Sequence, residues 1–163
     1  MISIIVAIAR NRAIGLNGDL IYHLSSDLKR FKALTTGNTV VMGRKTFDSL
    51  PKGALPNRRN IVLSRQAGLQ LPRVEVYASL DDALKACGTD EKVYVMGGAQ
   101  VYGQALPLAD ELQITLVHDT PAEADAFFPD FLSCGEWKLV EQEDCEPDER
   151  NPFPYSFMTY RRS

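Results

Sequence analysis

The chain has 163 residues, 45% of them hydrophobic and 24% charged, with a formal net charge of −3. Such length and usage fit one globular domain, 1-163, which hides roughly 70% of its unfolded surface and needs no disulfide or metal to hold a core. The acidic balance argues against a nucleic-acid partner, because phosphate binding needs a clustered basic face, yet it leaves room for a local basic pocket.

The first predicted element is a strand over 2–9, a β-branched run dense enough to be buried on both faces. Its longest apolar stretch, 4–9, is too short to span a membrane, and Arg10 and Arg12 follow it, unlike a signal peptide. Residues 11–24 contain glycine and show no periodicity, and a loop of that length in a compact domain is often a functional lid. A helix opens next, with Ser25 or Ser26 as its N-cap, and runs to about Thr35, where Gly37 stops it. Leu24, Leu28, Phe31 and Leu34 recur along it at helical spacing.

The pattern then alternates. A strand over 39–42 precedes a short helix from Arg44, and strands over 60–63 and 74–77 are separated by a turn. Ser79 caps a helix that reaches Ala86, with an acid at its third position. A strand over 93–96 leads into a helix over 99–106 that Pro107 ends, and a strand over 111–117 follows. Strands over 138–143 and 156–160 have no helix between them and pair antiparallel. The expected fold is α/β: a single-domain, mostly parallel eight-stranded sheet with an antiparallel C-terminal edge, flanked by about four helices. Three scattered cysteines (Cys87, Cys134, Cys145) and two distant histidines (His23, His118) fit reduced thiols in a cytoplasm and offer no metal site.

Two junctions look alike. Val40-Val-Met-Gly-Arg-Lys-Thr and Val93-Tyr-Val-Met-Gly-Gly-Ala each run from an apolar strand through glycine into a helix. Unpaired N–H groups, a positive dipole end and a bare backbone suit a phosphate, and two such ends close together would hold a pyrophosphate. The alternative is that each glycine only makes a tight turn. Neither junction is a G-x-G-x-x-G fingerprint. Arg44 and Lys45 lie where the helix dipole disfavours cations, as though an anion compensates, and Arg65 follows another strand end. Solvated surface cations are the plain alternative for each.

Asp27 lies in the first turn of its helix, where capping alone would account for a carboxylate. It also sits beside the apolar face marked by Leu24, Leu28 and Phe31, where desolvation raises a carboxyl pKa. The pattern leaves both roles open. No Ser–His–Asp, Cys–His or paired-carboxylate arrangement is legible, so a cofactor must carry the hard chemistry.

Taken in order, Ile14-Gly15-Leu16-Asn17-Gly18-Asp19-Leu20, Asp27-Leu28-Lys29-Arg30-Phe31-Lys32 and Met42-Gly43-Arg44-Lys45-Thr46-Phe47 resemble dihydrofolate reductase. The resemblance continues through Leu55-Pro56-Asn57-Arg58-Arg59-Asn60, Leu63-Ser64-Arg65, Met96-Gly97-Gly98-Ala99-Gln100-Val101-Tyr102 and Phe127-Phe128-Pro129, nearly the whole chain at family spacing.

It implies NADPH-dependent reduction of dihydrofolate to tetrahydrofolate, inhibition by antifolates, and a cytoplasmic monomer with neither nucleic-acid nor membrane partners. Asp27 would hold the pterin's amino-pyrimidine edge and promote protonation of the ring nitrogen beside the reduced bond. Thr115 would bond both the pterin and Asp27. Ile5, Val6, Leu28, Phe31, Leu50 and Met96 would wall the pocket, with Ala7, Lys32 and Tyr102 beside the substrate. Arg58 would bind the glutamate carboxylate, a bidentate task suited to guanidinium.

Ala7, Ile14, Gly15, Asn17, Gly18, Asp19 and Leu20 would close over the nicotinamide, and Asp125 would tie that loop down near Gly15. Gly43, Arg44, Lys45 and Thr46, with Gly97, Gly98, Ala99, Gln100, Val101 and Tyr102, would cradle the pyrophosphate. Leu63 lies beside Ser64 and Arg65, which with Arg44 would read the ribose 2′-phosphate. The resemblance also implies a cis Gly97–Gly98 bond.

One departure stands out: Ile21-Tyr22 replaces the family's usual Pro-Trp. Tyr22 is expected to join the catalytic set, its hydroxyl holding a water near Asp27; the alternative is a packed lid anchor. The rival functions are another pyridine-nucleotide reductase of this fold, of the riboflavin-pathway type, and a nucleotide-binding module without turnover. The Asp27 helix and Arg58 count against the former.

Overall fold

The structure, a computed structural model, describes residues 1–17 and 19–163, with the side chain of Asp19 left out. Its strands are β1 (Ile2–Ile8), β2 (Ala13–Leu16), β3 (Asp19–Leu20), β4 (Thr39–Gly43), β5 (Arg59–Leu63), β6 (Glu75–Tyr77), β7 (Val93–Val95), β8 (Glu111–Val117), β9 (Ala126–Phe127), β10 (Trp137–Cys145) and β11 (Tyr155–Arg162). The helices are α1 (Ser25–Thr35), α2 (Arg44–Asp48), α3 (Leu80–Lys85) and α4 (Ala99–Ala105), the last continuing into a 3-10 turn, Leu106–Leu108.

Eight strands form one sheet in the order β10-β11-β8-β1-β7-β4-β5-β6. The six from β8 to β6 run parallel, and β11 and β10 add an antiparallel edge. Side chains alternate across a strand, so the register sorts residues by face. Ile5, Gln113 and Thr159 share one face, as do Ala7, Thr115 and Phe157. On that side Val40, Met42, Val62 and Tyr94 pack with Phe47 of α2 and Leu34 of α1. On the other, Ile4, Val6, Ile8, Val95 and Ile114 pack with Leu80 and Ala83 of α3 and with Val101 and Ala105 of α4. Each such fully buried aliphatic side chain contributes about 1.5–3 kcal/mol, so the sheet is a stiff platform for whatever its loops carry.

Two differences from the sequence reading have physical causes. Within the stretch expected to be all loop, β2 pairs with β3 and with β9 in a second, three-stranded sheet. Its edge partner lies more than a hundred residues downstream, so local periodicity carries no trace of it. Neither serine caps α1: its N-cap is Leu24, with no side-chain cap bond, and the Ser26 N–H donates to Asn151 Oδ1 at 2.9 Å. A buried side chain from the C-terminal segment thus supplies what a local cap would have done.

Candidate active site

Asp27 projects from the first turn of α1 toward β8, and Thr115 Oγ1 donates to its Oδ1 at 2.5 Å. Thr115 is buried, and it faces Asp27 because it occupies the same sheet face as Ala7. Burial pushes the Asp27 carboxyl above its ordinary pKa, against the opposing pull of the Thr115 hydrogen bond and the Arg30 charge. Desolvation outweighs both, which leaves an acid poised to hold or share a proton instead of a plain surface cap.

Ile5, Leu50 and Met96 are half-buried and pack on the Val40–Met42 side of the sheet, the side that Thr115 also faces. Phe31 is half-buried, while Leu28, beside Asp27, keeps 55% of its surface exposed. An exposed leucine thus stands next to a desolvated acid. Val6 does not belong with these residues. It pairs with Ile114 and its side chain packs among the α3–α4 core, because one step along a strand reverses the face. Lys32 is exposed on α1. Arg58 stands at the other end of that helix, its Nη1 donating to Thr35 Oγ1 at 3.1 Å and its Nε to the Pro56 carbonyl at 2.9 Å, so the guanidinium is held in place.

Tyr22 also departs from expectation. Its hydroxyl donates to Asp119 Oδ2 at 2.7 Å, its ring meets Phe153 edge-on, and it is buried with Ala9, Leu24, Val117 and Tyr155. The proton meant for a water near Asp27 is committed elsewhere, and the residue is the packed anchor at the foot of the loop. Nothing in its own neighbourhood of the sequence identifies Asp119 as the acceptor.

The two glycine junctions meet. The Gly43 N–H donates to the Gly97 carbonyl at 2.8 Å, and the Met96 N–H to that of Val41 at 2.9 Å. The Gly97–Gly98 peptide is cis, and Gly97 has φ +127°. A Cβ on Gly97 would come within 3.4 Å of both Thr46 Oγ1 and Tyr102 OH, and one on Gly98 within 3.6 Å of that threonine oxygen. The surface is therefore bare backbone bordered by a hydroxyl, as close approach of a pyrophosphate requires. Ala99 and Gln100 open α4 beside it, whereas Val101 is buried beneath, its Cγ2 within 3.4 Å of where a Gly43 Cβ would stand. Tyr102 is buried too, donating to the Ile5 carbonyl at 2.9 Å just beyond the last β1–β7 pair.

Among the cations, Arg44 gives its Nε to Asp48 at 2.9 Å, one helical turn on, so its charge is shared. Lys45 and Arg65 are exposed; Leu63 and Ser64, at the end of β5, are half-buried. On the lid side, Ile14 is buried in the core, while Gly15 and Asn17 are tied down by Asp125, whose N–H donates to the Gly15 carbonyl at 3.0 Å and whose Oδ2 accepts from the Asn17 N–H at 2.9 Å. Leu20 is exposed and Ala7 half-buried. Gly18 and the Asp19 side chain lie outside the described residues.

A family model described as dihydrofolate reductase matches residues 1–162. Curated relatives named dihydrofolate reductase are 43% identical over 162 residues in Bacillus subtilis, covering 99% of this chain and 95% of the relative, and 45% identical over 161 residues in Neisseria meningitidis serogroup A, covering 99% and 98%. A solved structure titled dihydrofolate reductase from Enterococcus faecalis complexed with NADP(H) and RAB-propyl superposes with a TM-score of 0.91 at 35% identity, covering 100% of this chain and 96% of that one. With the half-buried acid and the paired glycine junctions already in place, these likenesses settle membership: the chain belongs to the dihydrofolate reductase family.

Proposed function

We propose that the chain reduces 7,8-dihydrofolate to 5,6,7,8-tetrahydrofolate with NADPH, as one unit over 1–163. The observation that carries this reading is the Asp27–Thr115 pair: a desolvated carboxyl, fixed by a buried hydroxyl, next to the exposed apolar side chain of Leu28. Hydride adds poorly to a neutral imine, so reduction of the pterin needs its ring nitrogen protonated. Asp27 binds the amino-pyrimidine edge and favours that protonation, and Thr115 orients the carboxyl and bonds the same edge of the ring. Ile5, Leu28, Phe31, Leu50 and Met96 exclude water from the reduced bond, and Arg58 pairs with the glutamate carboxylate.

NADPH, when bound, supplies the hydride. Gly43, Thr46, Gly97 and Gly98 would hold its pyrophosphate against bare backbone, and Arg44, Ser64 and Arg65 its 2′-phosphate. Gly15 and Asn17, tethered through Asp125, would lie against the nicotinamide with Ala7. Val6 and Val101 contribute to this site through their backbones, since both side chains face the core. No helix among the described residues is long and apolar enough to cross a membrane. A cytoplasmic monomer open to antifolate inhibitors is the reading we adopt.

Loss of NADPH absorbance when the purified protein meets dihydrofolate is the direct test. Absorbance that stays constant with both present would refute the reading.

A further inference from the structure

Arg30 lies three residues after Asp27 on α1, a spacing that puts two side chains on one helix face about 5–6 Å apart at Cβ. Its surroundings hold it there. The guanidinium carbon sits 4.5 Å from the centroid of the Phe157 ring, and Nη2 donates to Gln113 Oε1 at 2.7 Å. Gln113 and Phe157 belong to the same sheet face as Thr115, the partner of Asp27.

The Gln113 amide has only one way to face. Its Nε2 donates to Glu111 Oε1 at 3.0 Å, and Glu111 is a buried acid that also takes the Ser3 hydroxyl at 2.9 Å. An ionised carboxylate only accepts, so Glu111 demands the NH2 end of Gln113 and turns the carbonyl end toward Arg30. Thr159 Oγ1 donates to that same carbonyl oxygen at 3.0 Å. The orientation of the amide, and through it the place of the cation, is thus dictated from Glu111, whose charge is balanced by Lys92 and Arg161.

We propose that Arg30 is a positioning residue for the reaction: clamped by Gln113 and Phe157, it sets the proton affinity of Asp27 electrostatically, with Glu111 fixing the clamp. This rests on the role assigned above to Asp27. The charged and titratable groups facing the pair are Glu111 on β8, Glu141, Glu143 and Cys145 on β10 and Tyr102 on α4, while Arg161 on β11 and Lys92 before β7 face Glu111. The three acids act on Arg30, and the Asp27 charge itself acts on both Arg30 and Tyr102. Burial lowers the guanidinium's own pKa, but an arginine stays charged throughout the working range.

Arg30→Met removes the charge and strands no partner, because Gln113 Oε1 retains the Thr159 hydroxyl. Two readings on the apoenzyme and the working enzyme test the proposal. The midpoint for Asp27, followed by carboxyl carbon NMR and assigned by its loss in Asp27→Asn, should rise by about one pH unit or more in Arg30→Met. Arg30→Lys, which keeps the charge but not the flat clamp, should fall between. An unchanged midpoint in Arg30→Met would overturn the proposal, as would Arg30→Lys matching Arg30→Met, because the charge would then have no part. The pH profile of turnover separates this from the function itself. If the NMR midpoint moves and the turnover profile moves with it, both stand; if only the NMR midpoint moves, Arg30 still sets the proton affinity of Asp27, but the role given to Asp27 in the reaction fails and with it the positioning role of Arg30.

Discussion

Burial of Asp27 has a thermodynamic consequence apart from turnover. A carboxyl whose folded-state pKa is raised binds its proton more tightly in the folded chain than in the unfolded one. Its stability is therefore full in acid, below the ordinary carboxylate pKa, and falls as pH rises through the window up to the raised value. Asp27→Asn keeps an acceptor for Thr115 and removes the buried charge, so its melting temperature should exceed the parent's at pH 7, with the difference closing by about pH 4. Turnover should move the other way, dropping about 10²-fold or more at pH 7 and recovering in acid as the substrate is protonated from solvent. Thermal melts and steady-state rates across pH check both halves. Near-normal turnover at pH 7 would leave Asp27 only a structural partner of Thr115. Tyr22 makes a contrasting case at the same scale. Because its hydroxyl serves Asp119, Tyr22→Phe should lose about 1 kcal/mol of stability while changing turnover less than about twofold. A large fall in rate without a fall in melting temperature would show that the hydroxyl works on the substrate side after all. The sequence singled out the acid because its neighbours Leu24, Leu28 and Phe31 mark an apolar helix face, although that pattern left a capping role equally open; the tyrosine's destination was not legible at all, because Asp119 is brought up only by the fold.

At the scale of elements, what could be read was what repeats locally. The dense apolar run of β1 and the strand–glycine–helix junctions after β4 and β7 declare themselves in a few residues, since buried parallel strands carry continuous apolar runs. Val6 shows the limit of such a run: when every residue is apolar, sequence does not say which face a side chain takes, and only the pairing with Ile114 decides it. The small β2–β3–β9 sheet and the start of α1 depend on residues far away along the chain. The latter gives a test. Asn151 is buried, its Oδ1 takes the Ser26 N–H, and its Nδ2 donates to Asp148 at 2.8 Å. Asn151→Ala should cost about 1–2 kcal/mol, the loss expected of a helix cap, and should speed amide exchange first at Ser26 and Leu28. Exchange that quickens uniformly, or not at all near Ser26, would show that α1 holds its first turn without help.

Across the whole molecule, the features assigned to ligands stand at one edge of the sheet. Gly43 ends β4, Gly97 and Arg65 follow the C-terminal ends of β7 and β5, and Thr115 lies near that of β8, with all four strands parallel to β1. Strands β1 and β4, consecutive within the large sheet, are separated by β7, so the chain order jumps at the middle of the sheet, the usual place for a ligand crevice. No local pattern specifies that crossing, which is why the strand order escaped the sequence while the eight strands of the large sheet did not. A ligand spanning the junctions after β4 and β7 binds the folded chain alone and so stabilises the whole of it. At a hundred times its Kd, NADPH should add about 2.7 kcal/mol, or roughly 5–10 °C in melting temperature for a chain of this size. Arg65 is exposed, and as the proposed charge-assisted partner of the 2′-phosphate its replacement in Arg65→Ala should weaken NADPH binding about tenfold and cut the upward shift at the same concentration to about half. NADH lacks the 2′-phosphate, and its smaller shift should be the same in the parent and in Arg65→Ala. Melts of both proteins with each cofactor settle it: equal losses with NADPH and NADH would place Arg65 away from the 2′-phosphate, and no shift with NADPH in the parent would remove the cofactor from this edge of the sheet altogether.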